Sequence, residues 1–205
     1  MANYLRHITF LLFISLVSAC ATKPSIDNAS LAATGGWRLQ ESRLKAFSQW
    51  ELKGRLAYKQ QDEGFSARVR WQTSADTSTL KLTSSLGVSI LSLDITPVLT
   101  VLEADGEVYQ GDNAQQLLAD IAGLDIPVQQ LRRWIKALPD DHDKITLNAQ
   151  GYIETLRPTC LPCRKWEVHY NSYADFDGLI LPNSLTLTDL SQPNAFIKLK
   201  VTSWQ

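Results

Sequence analysis

The sequence predicts a mostly antiparallel β-sheet with two helices inserted in mid-chain, and three stretches carry that prediction. Phe65, Ala67, Val69 and Trp71 alternate strictly with Ser66, Arg68 and Arg70, a period of two that gives a strand one apolar and one wet face. Thr79–Asp94 (TLKLTSSLGVSILSLD) shows the same period on both sides of a short turn-rich joint, which reads as a hairpin. Between Asp112 and Pro139 the apolar spacing becomes helical, and afterwards it returns to strands.

Taken in order, Arg38–Ser48 carries Leu44 and Phe47 three apart among charges and predicts a short amphipathic helix. Trp50–Tyr58 alternates Trp50, Leu52 and Leu56, with Gly54 marking a bend or bulge. In the hairpin, Leu80 and Leu82 alternate with polar residues, as do Leu91 and Leu93, and the halves meet at Ser84-Ser85-Leu86-Gly87. Leu86 thus sits at a loop tip, although a lone surface leucine carries no meaning by itself. Pro97–Glu103 and Val108-Tyr109 flank an Ala104-Asp105-Gly106 turn.

The first inserted helix has Asp112 as cap, Gln115 as its capping-box partner, Leu117, Leu118 and Ile121 as its stripe, and Gly123 as its stop. The second has Pro127 in its first turn, with Val128, Leu131, Ile135 and Leu138 at helical spacing, Trp134 beside them, and Pro139 at its end. Strands return at Ile145–Leu147, Tyr152–Leu156, Trp166–Tyr170, Leu185–Leu187 and Ile197–Val201. A long antiparallel sheet with one apolar face must close up or be covered, and the Trp134 helix pair is the obvious cover. Periodicity leaves open whether the space beneath is hollow or, as is commoner, filled by side chains.

The chain has 205 residues, 44% hydrophobic and 20% charged, which suits one domain with a sizeable core. Six tryptophans fit either a core or an apolar cavity. Net charge is −1 without basic blocks, which argues against nucleic acid as a partner. No GxxxxGK[ST], GxGxxG, HExxH or G-x-S-x-G motif occurs, so neither an enzyme nor a cofactor is expected. Asp140-Asp141-His142-Asp143 lacks the ligand spacing of a calcium or zinc site and reads as a solvated turn; no metal is expected. His169 falls on the wet face of its strand.

Cys160-Leu161-Pro162-Cys163 admits a redox pair, half a zinc site or a disulfide. It lies between two strands, no second C-x-x-C exists, and no helix follows the first cysteine. A local disulfide is therefore favoured in an oxidising compartment, although so small a ring adds little stability.

Residues 1–19 read as a signal peptide: Arg6 precedes Ile8–Val17, an apolar run too short to span a bilayer. The run ends in Leu16-Val17-Ser18-Ala19-Cys20, which resembles the bacterial lipoprotein lipobox, whose cysteine is acylated and becomes the new amino terminus. Ala21, where aspartate would favour inner-membrane retention, points to the outer membrane. Removing residues 1–19 takes away Arg6 and no acid, shifting the net charge by one to −2. Residues 20–36 are expected to be the lipidated cysteine and a flexible tether reaching about 20–24 Å, and residues 37–205 a single domain.

From Trp37 to Trp204 the chain resembles the outer-membrane lipoprotein receptor family LolB. The resemblance rests on Cys20, Gly54-Arg55, Trp71, Leu86-Gly87 with Leu91 and Leu93 behind it, Leu131-Arg132-x-Trp134-Ile135, Leu138-Pro139, Leu181-Pro182 and the closing strand to Trp204. Ser85 stands where the family commonly has proline and Ala137 where it commonly has glycine, and the Cys160/Cys163 pair is a local addition. The resemblance implies an open, strongly curved antiparallel β-barrel with a helical lid over a hydrophobic cavity. It implies a monomer that accepts lipoproteins from the periplasmic carrier LolA and inserts them into the outer membrane. Cys20 would be the lipid attachment site and Leu86 the membrane-inserting residue. Val69, Trp71, Leu80, Leu82, Leu91, Leu93, Leu131, Trp134 and Ile135 would line the cavity for acyl chains. A lipocalin-like carrier of a small apolar ligand would share the cavity without needing Leu86 outside; a thiol oxidoreductase would need Cys160 and Cys163.

Overall fold

The computed structural model describes residues 26–205 apart from positions 75, 162, 164 and 193, with side chains from residue 36 onward. The leader, Cys20 and the first residues of the expected tether lie outside the described residues. The alternating stretches form strands β1 (Trp50–Gln60), β2 (Glu63–Ser74), β3 (Thr77–Thr83), β4 (Ser89–Ile95), β5 (Thr100–Ala104) and β6 (Glu107–Gly111). After two helices come β7 (Lys144–Leu147), β8 (Ile153–Arg157), β9 (Trp166–Phe176), β10 (Leu179–Asp189) and β11 (Phe196–Trp204). All eleven make one antiparallel sheet in the order β6-β5-β4-β3-β2-β1-β11-β10-β9-β8-β7, two meanders joined where the first strand meets the last. The sheet is open, with β6 and β7 as its edges.

At the end where β1 starts and β11 finishes, the apolar face is filled by tryptophans. Trp50 packs edge-to-face on Trp71 (5.7 Å between ring centroids) and Trp204 (5.3 Å), and Phe47 meets Trp204 at 6.1 Å. Gly54 marks a register shift in the β1–β11 ladder, where a side chain there would overlap the Lys200 carbonyl.

Helix α1 runs over Ile26–Ala46, so residues 26–36, assigned to the tether by composition, are helical. Leu31-Ala32-Ala33 are good helix formers, and they outweigh Gly35-Gly36. Trp37, Gln40 and Leu44 are its buried stripe; Phe47 lies just past the last turn. Gln40 and Arg43 bond the Ile180 and Gly178 carbonyls, fixing α1 to the β9–β10 hairpin.

Helix α2 (Ala114–Ala122) is capped by Asn113 rather than Asp112: its Oδ1 accepts from the Gln115 and Gln116 amides at 3.0 and 3.1 Å. Ala114 and Leu118 are its buried face, whereas Ile121 is exposed. Helix α3 (Val128–Trp134) is shorter than its apolar repeat. The chain leaves it through two bonds, Leu138 N–H to the Arg133 carbonyl (3.1 Å) and Ala137 N–H to the Trp134 carbonyl (2.8 Å), the Schellman pattern with Ala137 at the left-handed position. Ala137 has φ 55° and is buried. A left-handed L-residue costs about 1–2 kcal/mol, of which the greater freedom of an unfolded glycine cancels part. Loss of the buried methyl takes away about 0.8 kcal/mol more, so Ala137→Gly is expected to leave unfolding free energy within about 1 kcal/mol of the parent in urea titration; a loss of about 2 kcal/mol or more, as a buried alanine without strain would give, would contradict this account of the turn.

Candidate functional site

The inner side chains of β1–β4 and β11 face those of α2, α3 and their connection across a slot with a wholly apolar lining. Val69, Trp71, Leu80, Leu82 and Leu91 form the sheet side; Leu118, Leu124, Ile126, Val128, Leu131 and Ile135 form the lid side. Leu56, Tyr58, Phe65 and Ile197 extend it away from the tryptophan floor. Of the expected lining, Leu93 and Trp134 are absent. Leu93 shares the face of Leu91 but lies two residues, about 7 Å, further along β4, where it is fully buried. Trp134 is also fully buried outside the slot, its carbonyl held by the Tyr170 hydroxyl at 2.7 Å. Leu118 belongs to the α2 stripe that the helical spacing predicts, whereas Leu124 and Ile126 carry no such signal, because the α2–α3 connection has no periodicity to reveal which way it faces.

The slot is nearly filled. It encloses about 40 Å³, close to the share of one water in the liquid, so of the two possibilities that periodicity leaves open the space is mostly filled by side chains. The reason is energetic: a dry void costs about 24 cal/mol per Å³, so one of about 400 Å³, a typical ligand pocket, would cost on the order of 10 kcal/mol. That rivals the whole stability of a domain. Leucines from both sides fill the space.

Polar links hold the lid at two points. Asp125, between α2 and α3, receives Lys165 Nζ from the start of β9 at 2.6 Å and Gln115 Nε2 at 2.9 Å; Lys165 also meets Asp189 at 3.3 Å. The Lys165 ammonium, with Gln115, holds the Asp125 carboxyl below its ordinary range despite burial. On the other side of the lid, Lys136 donates to the Phe47 carbonyl at 2.7 Å, just past the end of α1. Burial, with Arg133 and Arg132 adding, pushes Lys136 down to about 8. The unfolded chain keeps that proton up to about 10.5, so between pH 8 and 10 it binds more protons than the folded one and stability rises with pH. The raised phenols of Tyr170 and Tyr173 oppose this only above pH 10. Unfolding free energy is expected to climb across pH 8–10 and Lys136→Met to remove the climb; a flat parental profile would contradict the assignment.

Leu86 lies at the end of the sheet toward which Tyr58 and Phe65 extend the slot, since Thr83 pairs with Arg68 and the β3–β4 turn follows directly. It is 90% exposed, beside exposed Val88. The turn is held without a proline: Ser84 N–H donates to the Val88 carbonyl at 2.8 Å, and Ser84 Oγ accepts from Val88 N–H at 3.1 Å. Arg68 adds a bond to the Ser85 carbonyl. Gly87 takes φ 88°, the left-handed conformation that favours glycine.

Cys160 and Cys163 are joined as a disulfide in the β8–β9 connection. Cys163 is fully buried, Cys160 is half-buried, and neither opens a helix, so the pair lacks the helix-activated sulfur of a redox motif. The Asp140–Asp143 cluster is a turn closed on itself, Asp143 accepting from the Asp140 and Thr159 amides. Among the described residues no helix is long and apolar enough to cross a membrane.

The model of the family Outer membrane lipoprotein LolB matches residues 48–204. The chain is 37% identical to the outer-membrane lipoprotein LolB of Shewanella woodyi over 199 residues, covering 95% of this chain and 86% of that one. It is 32% identical to that of Aeromonas salmonicida over 205 residues, covering 100% and 98%. A crystal structure of a LolA superfamily protein from Nitrosomonas europaea shares the fold, with a TM-score of 0.54 at 9% identity over 84% of this chain and 92% of that one. The matched residues run from before β1 to the last residue of β11 and take in the sheet, the lid and the Leu86 loop together. The chain therefore belongs to the family of outer-membrane lipoproteins LolB, with a role in lipoprotein localisation.

Proposed function

We propose that the protein takes lipoproteins from the soluble periplasmic carrier LolA, holds their acyl chains between sheet and lid, and releases them into the outer membrane, to which Cys20 anchors it. The observation that carries this reading is a wholly apolar slot extending toward the sheet end that also bears Leu86. Acyl chains lose about 0.8 kcal/mol per CH₂ exposed to water, so they need a continuous apolar route. A slot without a single polar lining group offers area and no directional bond, which suits chains that must leave again. The collapse of the empty slot supplies part of the drive for release, because the lid closes behind the departing chain. No nucleotide is needed: cargo passes from carrier to slot to bilayer down a gradient of apolar burial.

A photoreactive residue in place of Leu131, in the full membrane-anchored chain mixed with cargo-loaded carrier, is expected to form adducts with acylated cargo. The same residue in place of Val108, exposed on β6, is expected to form none. Cargo reaching the membrane without adducts at Leu131 would overturn the reading.

A further inference from the structure

The polar face of the same sheet carries a second concavity, a groove of about 1000 Å³ across β2, β1, β11 and β10. Its floor is made of small side chains, Ala57, Ser66 and Thr186, and four cations border it: Arg55, Arg68, Lys198 and Lys200. The ladder register sets Arg68 directly opposite Arg55, and Arg55 directly opposite Lys200, so three positive charges share one rung. Like charges facing across a ladder destabilise a sheet. Two residues further along, Arg70 and Lys53 occupy the same face but share the carboxylate of Glu51. The four groove cations form no ion pair among the described residues. Lys198 lies over the Phe196 ring at 4.7 Å, but no carboxylate among the described residues balances the row, and cations without a counter-charge over a floor of small residues make a surface shaped for an anion.

We propose that this groove docks the phosphate groups of anionic phospholipid when the protein lies on a membrane. The choice of a lipid surface over an acidic protein comes from what adjoins the groove. Ser85 lines it, and the Arg68 guanidinium bonds the Ser85 carbonyl, so the groove runs into the base of the Leu86–Val88 tip. Exposed apolar side chains beside a cationic row match the two layers of an interface: acyl boundary for the leucine and valine, headgroup phosphates for the arginines and lysines. An acidic protein would satisfy the cations and leave Leu86 in water. The groove would orient the chain so that the loop points into the bilayer.

Since this assignment rests on the reading of Leu86 as the inserting residue, it is tested on binding alone, apart from delivery. The mature chain, residues 20–205 with Cys20→Ala, which carries neither the apolar leader nor the acyl anchor, is floated with vesicles of phosphatidylcholine alone or mixed with phosphatidylglycerol. Binding is expected to require phosphatidylglycerol and to weaken with salt. The triple variant Arg55→Gln, Lys198→Gln, Lys200→Gln is expected to lose about 100-fold in affinity, with a melting temperature equal to or above the parent's because the crowded rung is relieved. Retained phosphatidylglycerol dependence in Leu86→Glu supports the groove even if insertion fails. A triple variant that binds mixed vesicles as tightly as the parent overturns it. So does release of the parent from those vesicles by polyglutamate or inorganic phosphate at matched ionic strength, which would point to an acidic polypeptide or a free anion as occupant.

Discussion

Leu86→Glu is expected to accept cargo from the carrier at the parental rate and to deliver it to vesicles at least about 100-fold more slowly. Burying a leucine is worth about 1.5–3 kcal/mol, and a carboxylate driven toward the acyl region costs about as much again. Together these exceed the 2.7 kcal/mol or so that corresponds to 100-fold. Leu86 is 90% exposed and lines no part of the slot, so uptake and folding have no reason to change. Surface changes of this kind stay within about 0.5 kcal/mol of parental stability. Transfer from loaded carrier to the protein, and from the protein to vesicles, are followed separately. Delivery at the parental rate would remove the loop from the mechanism.

Gly54→Ala is expected to cost about 3 kcal/mol or more in unfolding free energy, the largest stability loss from a single added methyl group. A Cβ at Gly54 would overlap the Lys200 carbonyl, and the next atoms in contact are also backbone, the Lys200 carbonyl carbon and the Val201 Cα. No flexible side chain is present to give way, so the junction of the two meanders must spread. Because β1–β11 pairing joins the halves of the sheet, the damage is global, and acyl uptake is expected to fall with it. Chemical denaturation measures the loss; a change below about 1 kcal/mol would show that the junction is more compliant than its geometry implies.

The sheet was legible because alternation is a local signal: Phe65–Trp71 and the Leu80–Leu93 hairpin each declare which face is apolar within a few residues. The slot was legible only in part. Period two puts Leu91 and Leu93 on one face equally, and only the pairing of β4 with its neighbours shows where along the strand the slot stops. Trp134 shares α3 with the slot-lining Val128 and Leu131, yet it is fully buried outside the slot. The closed state of the slot was not legible at all, since composition says which residues face each other and not how far they interpenetrate. The cationic rung escaped for a related reason. Arg55, Arg68 and Lys200 are scattered in sequence and become neighbours only through register. Ala137 is the converse: nothing in its local spacing marks it, yet it sits at the left-handed position of a helix stop.

Two features of the lid link packing to function. Its inner face is apolar throughout, so opening it exposes a continuous greasy seam. Its fastenings are polar, with Asp125–Lys165 between α2 and α3 and buried Lys136 at the α1 end, and the exposed Asp125–Lys165 pair breaks and reforms in water at small net cost. On the function proposed above, such a lid would be costly to hold open when empty and easy to hold open around an acyl chain.

Hydrogen exchange across residues 112–139, with and without bound acylated cargo, tests that dependence most directly. Loading is expected to alter protection in α2, α3 and the Leu124–Ile126 connection while leaving the Trp50–Trp71–Trp204 floor unchanged. Stoichiometric loading with lid protection identical to the empty protein's would contradict it, because the slot as it stands has no room for an acyl chain.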